Sequence, residues 1–267
     1  MDIFKHLKDN KAALIAEKKF KVKEADAIVF IPTTTTHKGE AVKADSNTNL
    51  LELDNIKVKV VINTTNILDS HGDVHIKGIW NKSLKEQKNL YLLQEHQMSF
   101  SKIITDEVTA SVKSMTFSEL GFDKLEGETQ ALIFDANVSS KRNEFMFEQY
   151  AKGYVKEHSI GMRYVTMYLC INSTEKYYLE EKENWDKYIV DVANKQDAID
   201  NGYFWAVTEA KIIEGSAVVK GSNYATPTLS VKENIEPVTS THKSEPSTDT
   251  QKKTESIYYL TNNLKLS

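Results

Sequence analysis

A mainly β fold with flanking helices, of the α+β class, is predicted for this 267-residue chain from three observations. Ile56, Val58, Val60 and Ile62 alternate with Lys57 and Lys59, the two-residue period of a half-buried strand. Further β-prone runs follow at Leu90 to Leu93, Lys102 to Phe117 in pieces, Gln130 to Ala136, Val155 to Cys170 and Phe204 to Val219. Between these runs only two segments read as helix, so strands carry the body and helices flank it.

Taken in order, residues 1 to about 24 place Ile3, Phe4, Leu7, Leu14 and Ile15 at helical spacing without Gly or Pro, which predicts a short amphipathic helix. Thr33 to Asn49 has almost no large apolar residues and reads as a linker, giving an N-terminal region over residues 1–50. The folded body spans 51–228. Its first internal helix is expected over Ser139 to Lys152, with Ser139 or Ser140 as cap and Gly153 as the left-handed terminator. The second is expected within Glu183 to Asp200. Residues 229–267 read as a disordered tail, because Ser230 to Ser256 is rich in Ser, Thr, Lys and Glu. The short apolar run Ile257 to Leu266 ends it.

Composition narrows the function. The 34 Lys and Arg nearly balance 38 Asp and Glu, so the net charge of −4 gives no general footprint for nucleic acid, and no direct nucleic-acid binding is expected. No run approaches the ~20 apolar residues of a membrane helix, the N-terminus has no secretory signal, and no membrane association is expected. The single cysteine, Cys170, can form no internal disulfide and suits a reducing compartment. The protein is therefore expected to be soluble and intracellular.

Four segments can carry chemistry. The run from Asp69 to Gly78 places His71, Asp73 and His75 at i, i+2, i+4, which on an extended strand is one face and a plausible metal constellation. Its competing reading is a turn built on Asp69, Gly72, Asp73 and Gly78, with no metal bound. Ser159 lies in a predicted strand beside Ile160 and the small Gly161, which allows close approach of a substrate, and Arg163 adds a positive charge. A serine nucleophile needs a base and nearby oxyanion donors. His158 points to the opposite strand face from Ser159, which leaves His96, after the run Leu90 to Leu93, as the better base. Glu214, flanked by Ile212 and Ile213, needs a partner if buried and is read as the group that orients His96, with Glu209 as the alternative.

Taken together, the order of these pieces resembles a family. A strand, the turn DxxGDxxxxG at Asp69 to Gly78, LLxxH ending at His96, a helix ending in Gly, SIG at Ser159 to Gly161 and a final EGSAVV strand from Glu214 are similar to the prohead maturation proteases of tailed bacteriophages. These are related in fold to the herpesvirus assemblins. The resemblance covers about Ile56 to Thr228 and implies an assemblin-like closed β-barrel surrounded by helices, with flexible termini. It implies a Ser-His-Glu serine endopeptidase with Ser159 as nucleophile, His96 as base and Glu214 as third member. Ile160, Gly161 and Arg163 then belong to the oxyanion and substrate site, and no cofactor is implied. Substrates and docking partners would be the major capsid protein, a scaffolding protein and the protease itself, inside the prohead in the host cytoplasm. Self-association is compatible with the sequence. Residues 1 to 24 and the apolar C-terminal run are the expected docking segments. The rival functions are a metal-dependent hydrolase on His71, Asp73 and His75, and a non-catalytic capsid assembly factor.

Overall fold

The alternating segment at Ile56 forms β1 (Asn55–Thr64), whose buried side chains include Ile56, Val58, Val60 and Ile62, as the sequence pattern requires. A computed structural model describes residues 2–20, 49–86 and 89–234. It contains more strand than helix. The strands after β1 are β2 (Asp73–His75), β3 (Leu92–Gln94), β4 (Ile103–Thr105), β5 (Val108–Thr116) and β6 (Glu128–Ser139). They continue with β7 (Glu157–Ile171), β8 (Tyr203–Val218) and β9 (Thr228–Glu233).

These strands make two sheets. One has the order β5-β6-β1-β9, all pairs antiparallel. The other is centred on β8, which pairs antiparallel with β7 along one edge and parallel with β2 and β3 along the other, and β4 adds to β3. The largest core cluster draws on both sheets: Ile62 of β1 and Phe134 of β6 press on Gly215 of β8, where a Cβ would come within 2.8 Å and 2.7 Å of them. Gly215 is therefore a packing glycine, small because a neighbouring sheet needs the space.

The closed barrel expected from the resemblance does not form among the described residues. Two breaks account for this. After β4, the Glu107 amide bonds Thr105 Oγ1 at 3.0 Å, and the chain leaves β3 to re-enter as β5 in the other sheet. On the far side, the segment before β9 meets β7 at the isolated bridge from Glu157 to Pro227 and at bonds between His158 and Thr226, among them the His158 amide to the Thr226 carbonyl at 3.2 Å, and forms no continuous ladder with it. Pro227 has no N–H with which to extend that ladder.

The helices also depart from expectation in their limits. Ser139 is the last residue of β6, so the first internal helix, α4 below, starts later, at Glu144, with Asn143 Oδ1 accepting the Met146 amide. Gly153 does take the left-handed conformation, with φ 69°. In chain order the helices are α1 (Ile3–Asp9), α2 (Lys11–Phe20), α3 (Asn81–Glu86), α4 (Glu144–Ala151), α5 (Leu179–Tyr188) and α6 (Lys195–Asn201). The predicted N-terminal helix is thus two, opened by Asp2, which caps the Phe4 and Lys5 amides, and interrupted at Asn10.

That pair packs on its own domain. Lys8 and Lys11 reach the fully buried Glu181 of α5 at 2.6 and 2.7 Å, and Lys18 reaches the fully buried Asp73 at 2.6 Å. A buried carboxylate without such a partner would be costly. Part of the segment read as a docking element for capsid components is therefore engaged within the chain, while Ile3 and Phe20 remain exposed. The linker at Thr33 lies outside the described residues, apart from Asn49. Ser230 to Glu233, read as tail, instead belong to β9, which pairs with β1 and extends the folded unit to Asn234. The remainder of the tail, with the apolar run from Ile257, lies outside the described residues. Among the described residues no helix is long and apolar enough to cross a membrane.

Candidate active site

His96 is placed by β3. Because β3 lies parallel to β8, with Gln94 opposite Ala217, its end is delivered beside Ser216 and Glu214. Glu95 and His96 then both adopt the left-handed conformation, with φ 53° and 57°, and reverse the chain. Two successive non-glycine residues in that region are strained, and such strain concentrates at functional sites. Hydrogen bonds fix the reversal: the Glu95 amide donates to the Ala217 carbonyl at 3.0 Å, and the His96 amide to Ser216 Oγ at 3.1 Å.

The imidazole meets Glu214. His96 Nδ1 lies 2.6 Å from Glu214 Oε1, with both side chains more than nine-tenths buried. A carboxylate can only accept, so Nδ1 carries a proton, and in the neutral imidazole Nε2 then carries the lone pair. Ser216 donates to the other oxygen, Glu214 Oε2, at 2.6 Å, so one hydroxyl holds both the carboxylate and the His96 backbone. Nothing in the sequence singled out Ser216. The i, i+2 spacing from Glu214 is the signal that could have, since it puts the two on one strand face.

Gly161 makes this arrangement possible. It stands opposite Glu214 in the ladder, and a Cβ there would come within 2.8 Å of Glu214 Cδ and 2.9 Å of Cγ. The Glu214 side chain thus lies across β7 in the space that any larger residue would fill. Next to this pair the register shifts between Gly161 and Met162, a bulge in β8 that places Ile213 opposite no residue. Such bulges re-aim side chains beside active sites. Gly161, expected to admit substrate, admits the carboxylate.

Ser159 stands opposite Ser216 and is nearly buried, with 7% of its surface exposed. Facing residues of a ladder share a sheet face, so Ser159 projects to the side that carries Ser216, Glu214 and His96. The three expected members are thereby gathered at the β7 and β8 pair. His96 Nε2, however, is buried and has no hydrogen-bond partner among the described residues, so Ser159 and His96 are not directly hydrogen-bonded.

Ladder parity assigns the backbone donors. Gly215 N–H and the Ala217 carbonyl face β3, so the alternate residues of β8 face β7. Their partners Ser159 and Gly161 turn their polar groups inward, whereas His158 and Ile160 turn theirs to the outer edge of β7. The His158 amide is taken by the Thr226 carbonyl. Ile160 N–H is the next amide on that edge, beside Ser159.

The remaining predicted residues have other employment. His158 points away from Ser159, with Nε2 3.0 Å from the Tyr150 hydroxyl and Nδ1 3.2 Å from the Thr226 carbonyl, and burial lowers its pKa to about 4. Glu209 pairs with Lys82 at 3.2 Å, so Glu214 is the carboxylate that reaches His96. Arg163 is exposed at the surface, two pleats along β7 from Ser159 and opposite Lys211, which removes it from the immediate surroundings of Ser159.

Asp69 to Gly78 builds a turn. Asp69 Oδ1 accepts the His71 and Asp73 amides at 2.8 and 2.9 Å, Gly72 has φ 72°, and Gly78, with φ 91°, donates its amide to Gln130. The metal constellation does not assemble, because β2 begins only at Asp73 and leaves His71 in the turn. Asp73 instead accepts from Lys18 and from the Tyr164 hydroxyl at 2.7 Å, and His75 lies between Tyr164 and Asn63, 3.2 Å from each. Among the described residues no group of three His, Cys, Asp or Glu has the arrangement of a metal site. Ser159 borders a cavity of about 10 Å³ shared with Asp69, His71, His75 and Tyr164, room for one water. Burial pushes the Cys170 thiol well above its ordinary range, which makes it an inert core residue.

No family model, no curated protein and no solved structure matches this chain.

Proposed function

We propose that the protein is a serine endopeptidase of the Ser-His-Glu type, acting in capsid maturation inside a phage prohead and built on a relative of the assemblin fold with open sheets. The observation that carries the chemistry is the His96 to Glu214 contact of 2.6 Å, which leaves Nε2 buried and unpartnered on the face that bears Ser159. An imidazole held by a carboxylate at one nitrogen and open at the other is the arrangement a general base requires. The phage setting rests on the order of motifs in the sequence. Its expected substrates are the capsid protein, a scaffolding protein and the protease itself.

The chemistry follows from those atoms. Nε2 takes the Ser159 hydroxyl proton as Oγ attacks the scissile carbonyl carbon, and the carbonyl oxygen becomes an oxyanion. Ile160 N–H, at the outer edge of β7, is the backbone donor suited to it. The imidazolium, stabilised by Glu214, then protonates the departing amine and leaves an acyl-enzyme that water hydrolyses by the same route in reverse. For the base to reach the hydroxyl the pair must close to hydrogen-bond distance, as catalytic contacts often do only with substrate bound.

Intact mass spectrometry of the purified protein, alone and mixed with candidate capsid and scaffold proteins, tests the reading. Time-dependent shortening should occur with the parent chain and not with a folded Ser159→Ala variant. Cleavage that survives in that variant would remove Ser159 from the chemistry. Loss of cleavage in chelator, restored by zinc, would favour the metal hydrolase instead.

A further inference from the structure

A groove of about 470 Å³ opens on the surface beside the β8 bulge, walled by Ser83 and Glu86 of α3, by Arg163 of β7 and by Lys211, Ile212 and Ile213 of β8. Its shape is held by a specific contact, since the Ile212 amide donates to Ser83 Oγ at 2.9 Å. Arg163 and Lys211 stand directly opposite each other in the ladder. Like charges so placed repel, and the repulsion is relieved by an anion between them. The nearby carboxylate of Glu209 is engaged by Lys82, and neither Arg163 nor Lys211 forms an ion pair among the described residues. Two cations against the single carboxylate of Glu86 leave the groove net positive.

Its position relates it to the proposed chemistry. Ser159, Gly161 and Arg163 alternate along β7 and share one face, and four residues of strand span about 13 Å. An extended peptide lying along β7 with its scissile bond at Ser159 would carry a side chain two to four residues away into this groove.

We infer that Arg163 and Lys211 form a specificity subsite that selects peptide substrates with Asp or Glu two to four residues from the cleaved bond. This rests on the protease reading. The guanidinium, with its fixed fork of donors, would take the carboxylate in two parallel hydrogen bonds, and the Lys211 ammonium would add charge.

The test has two arms. In the first, the protein digests a library of denatured peptides and the new termini are sequenced. Asp and Glu should be enriched at one position within four residues of the cut. In an Arg163→Gln, Lys211→Gln double variant the ratio of kcat/KM for matched Glu and Gln peptides should fall on the order of ten-fold, towards one. In the second arm, fluorescein-labelled twelve-residue peptides containing three Glu or three Gln are titrated into the Ser159→Ala protein. The Glu peptide should bind more tightly, and raised salt and the double variant should each erase the difference. Cleavage with no acidic enrichment would overturn the subsite and leave the protease standing. If no peptide is cut, the protease reading falls and the binding arm still decides the groove: equal binding of the two peptides refutes it.

Discussion

Two buried polar clusters are built on the same strand pair, and they end differently. Around Asp73, the lysine of a helix, a tyrosine hydroxyl, a histidine and an asparagine join in a chain, with both ring nitrogens of His75 occupied. Around Glu214, a serine and a histidine are bound just as tightly, yet His96 Nε2 has no partner. A closed chain of this kind stabilises the fold and has nothing left to offer a substrate. The other cluster keeps one lone pair in reserve. An unpartnered buried nitrogen alone does not mark a site, since His71 Nδ1 and Trp80 Nε1 also lack partners. What distinguishes His96 is that its second nitrogen is held by a carboxylate in a strained, left-handed segment.

The contrast is broken most severely at the nucleophile and base. Ser159→Ala and His96→Ala should each lower kcat by something on the order of a million-fold, and the double variant should be no worse, because the two act as one unit. Peptide hydrolysis by each purified variant, with circular dichroism to confirm folding, checks this. A strictly additive double loss would show that the residues act independently.

Next in size come the residues that hold the imidazole. Glu214→Gln should cost on the order of 10³- to 10⁴-fold in kcat and Glu209→Gln nearly nothing. Gly161→Ala should resemble Glu214→Gln, since the added methyl occupies the space of the carboxylate. Damage from Glu209→Gln with a silent Glu214→Gln would reverse the assignment.

The closed cluster should answer in stability instead. Lys18→Met removes one cation from the buried Asp73 and should destabilise the fold by about 3 kcal/mol in urea titration, with Asp73→Asn in the same chain restoring part of it. Active-site chemistry should be little changed once the protein is folded. A neutral effect of Lys18→Met would mean that this ion pair contributes nothing net to the fold.

A further effect of comparable size is a pH dependence from His158. Burial lowers its pKa from the ordinary 6.5 to about 4, so the unfolded chain binds the proton more readily than the folded one. Its contribution, about 3 kcal/mol, is therefore complete above pH ~6.5 and is lost as pH falls towards 4. Stability measured across that window should be flatter in a His158→Gln variant than in the parent.

These clusters also show what a sequence makes legible. Alternation in β1 and the glycine ending α4 are local, so they could be read directly, and the offset between His158 and Ser159 follows from strand geometry. Ser216 and the parallel register of β3 on β8 depend on pairing across more than a hundred residues, for which one sequence carries no signal. The start of α4 is not legible because Ser139 fits a helix cap and a strand end equally well. β9 is not legible because Thr228 to Glu233 is two-thirds polar, which suits an edge strand as well as a tail. The closed barrel failed at Pro227 and at the turn after Thr105, where local hydrogen bonding takes the chain from one sheet to the other.

The claim that His96 activates Ser159 is tested most directly by a covalent probe. A fluorophosphonate added to the parent protein should form a single adduct, mapped by peptide mass spectrometry to Ser159, and a folded His96→Ala protein should form none at the same exposure. Labelling of Ser159 that proceeds equally well without His96, or an adduct on any other residue, would contradict the account.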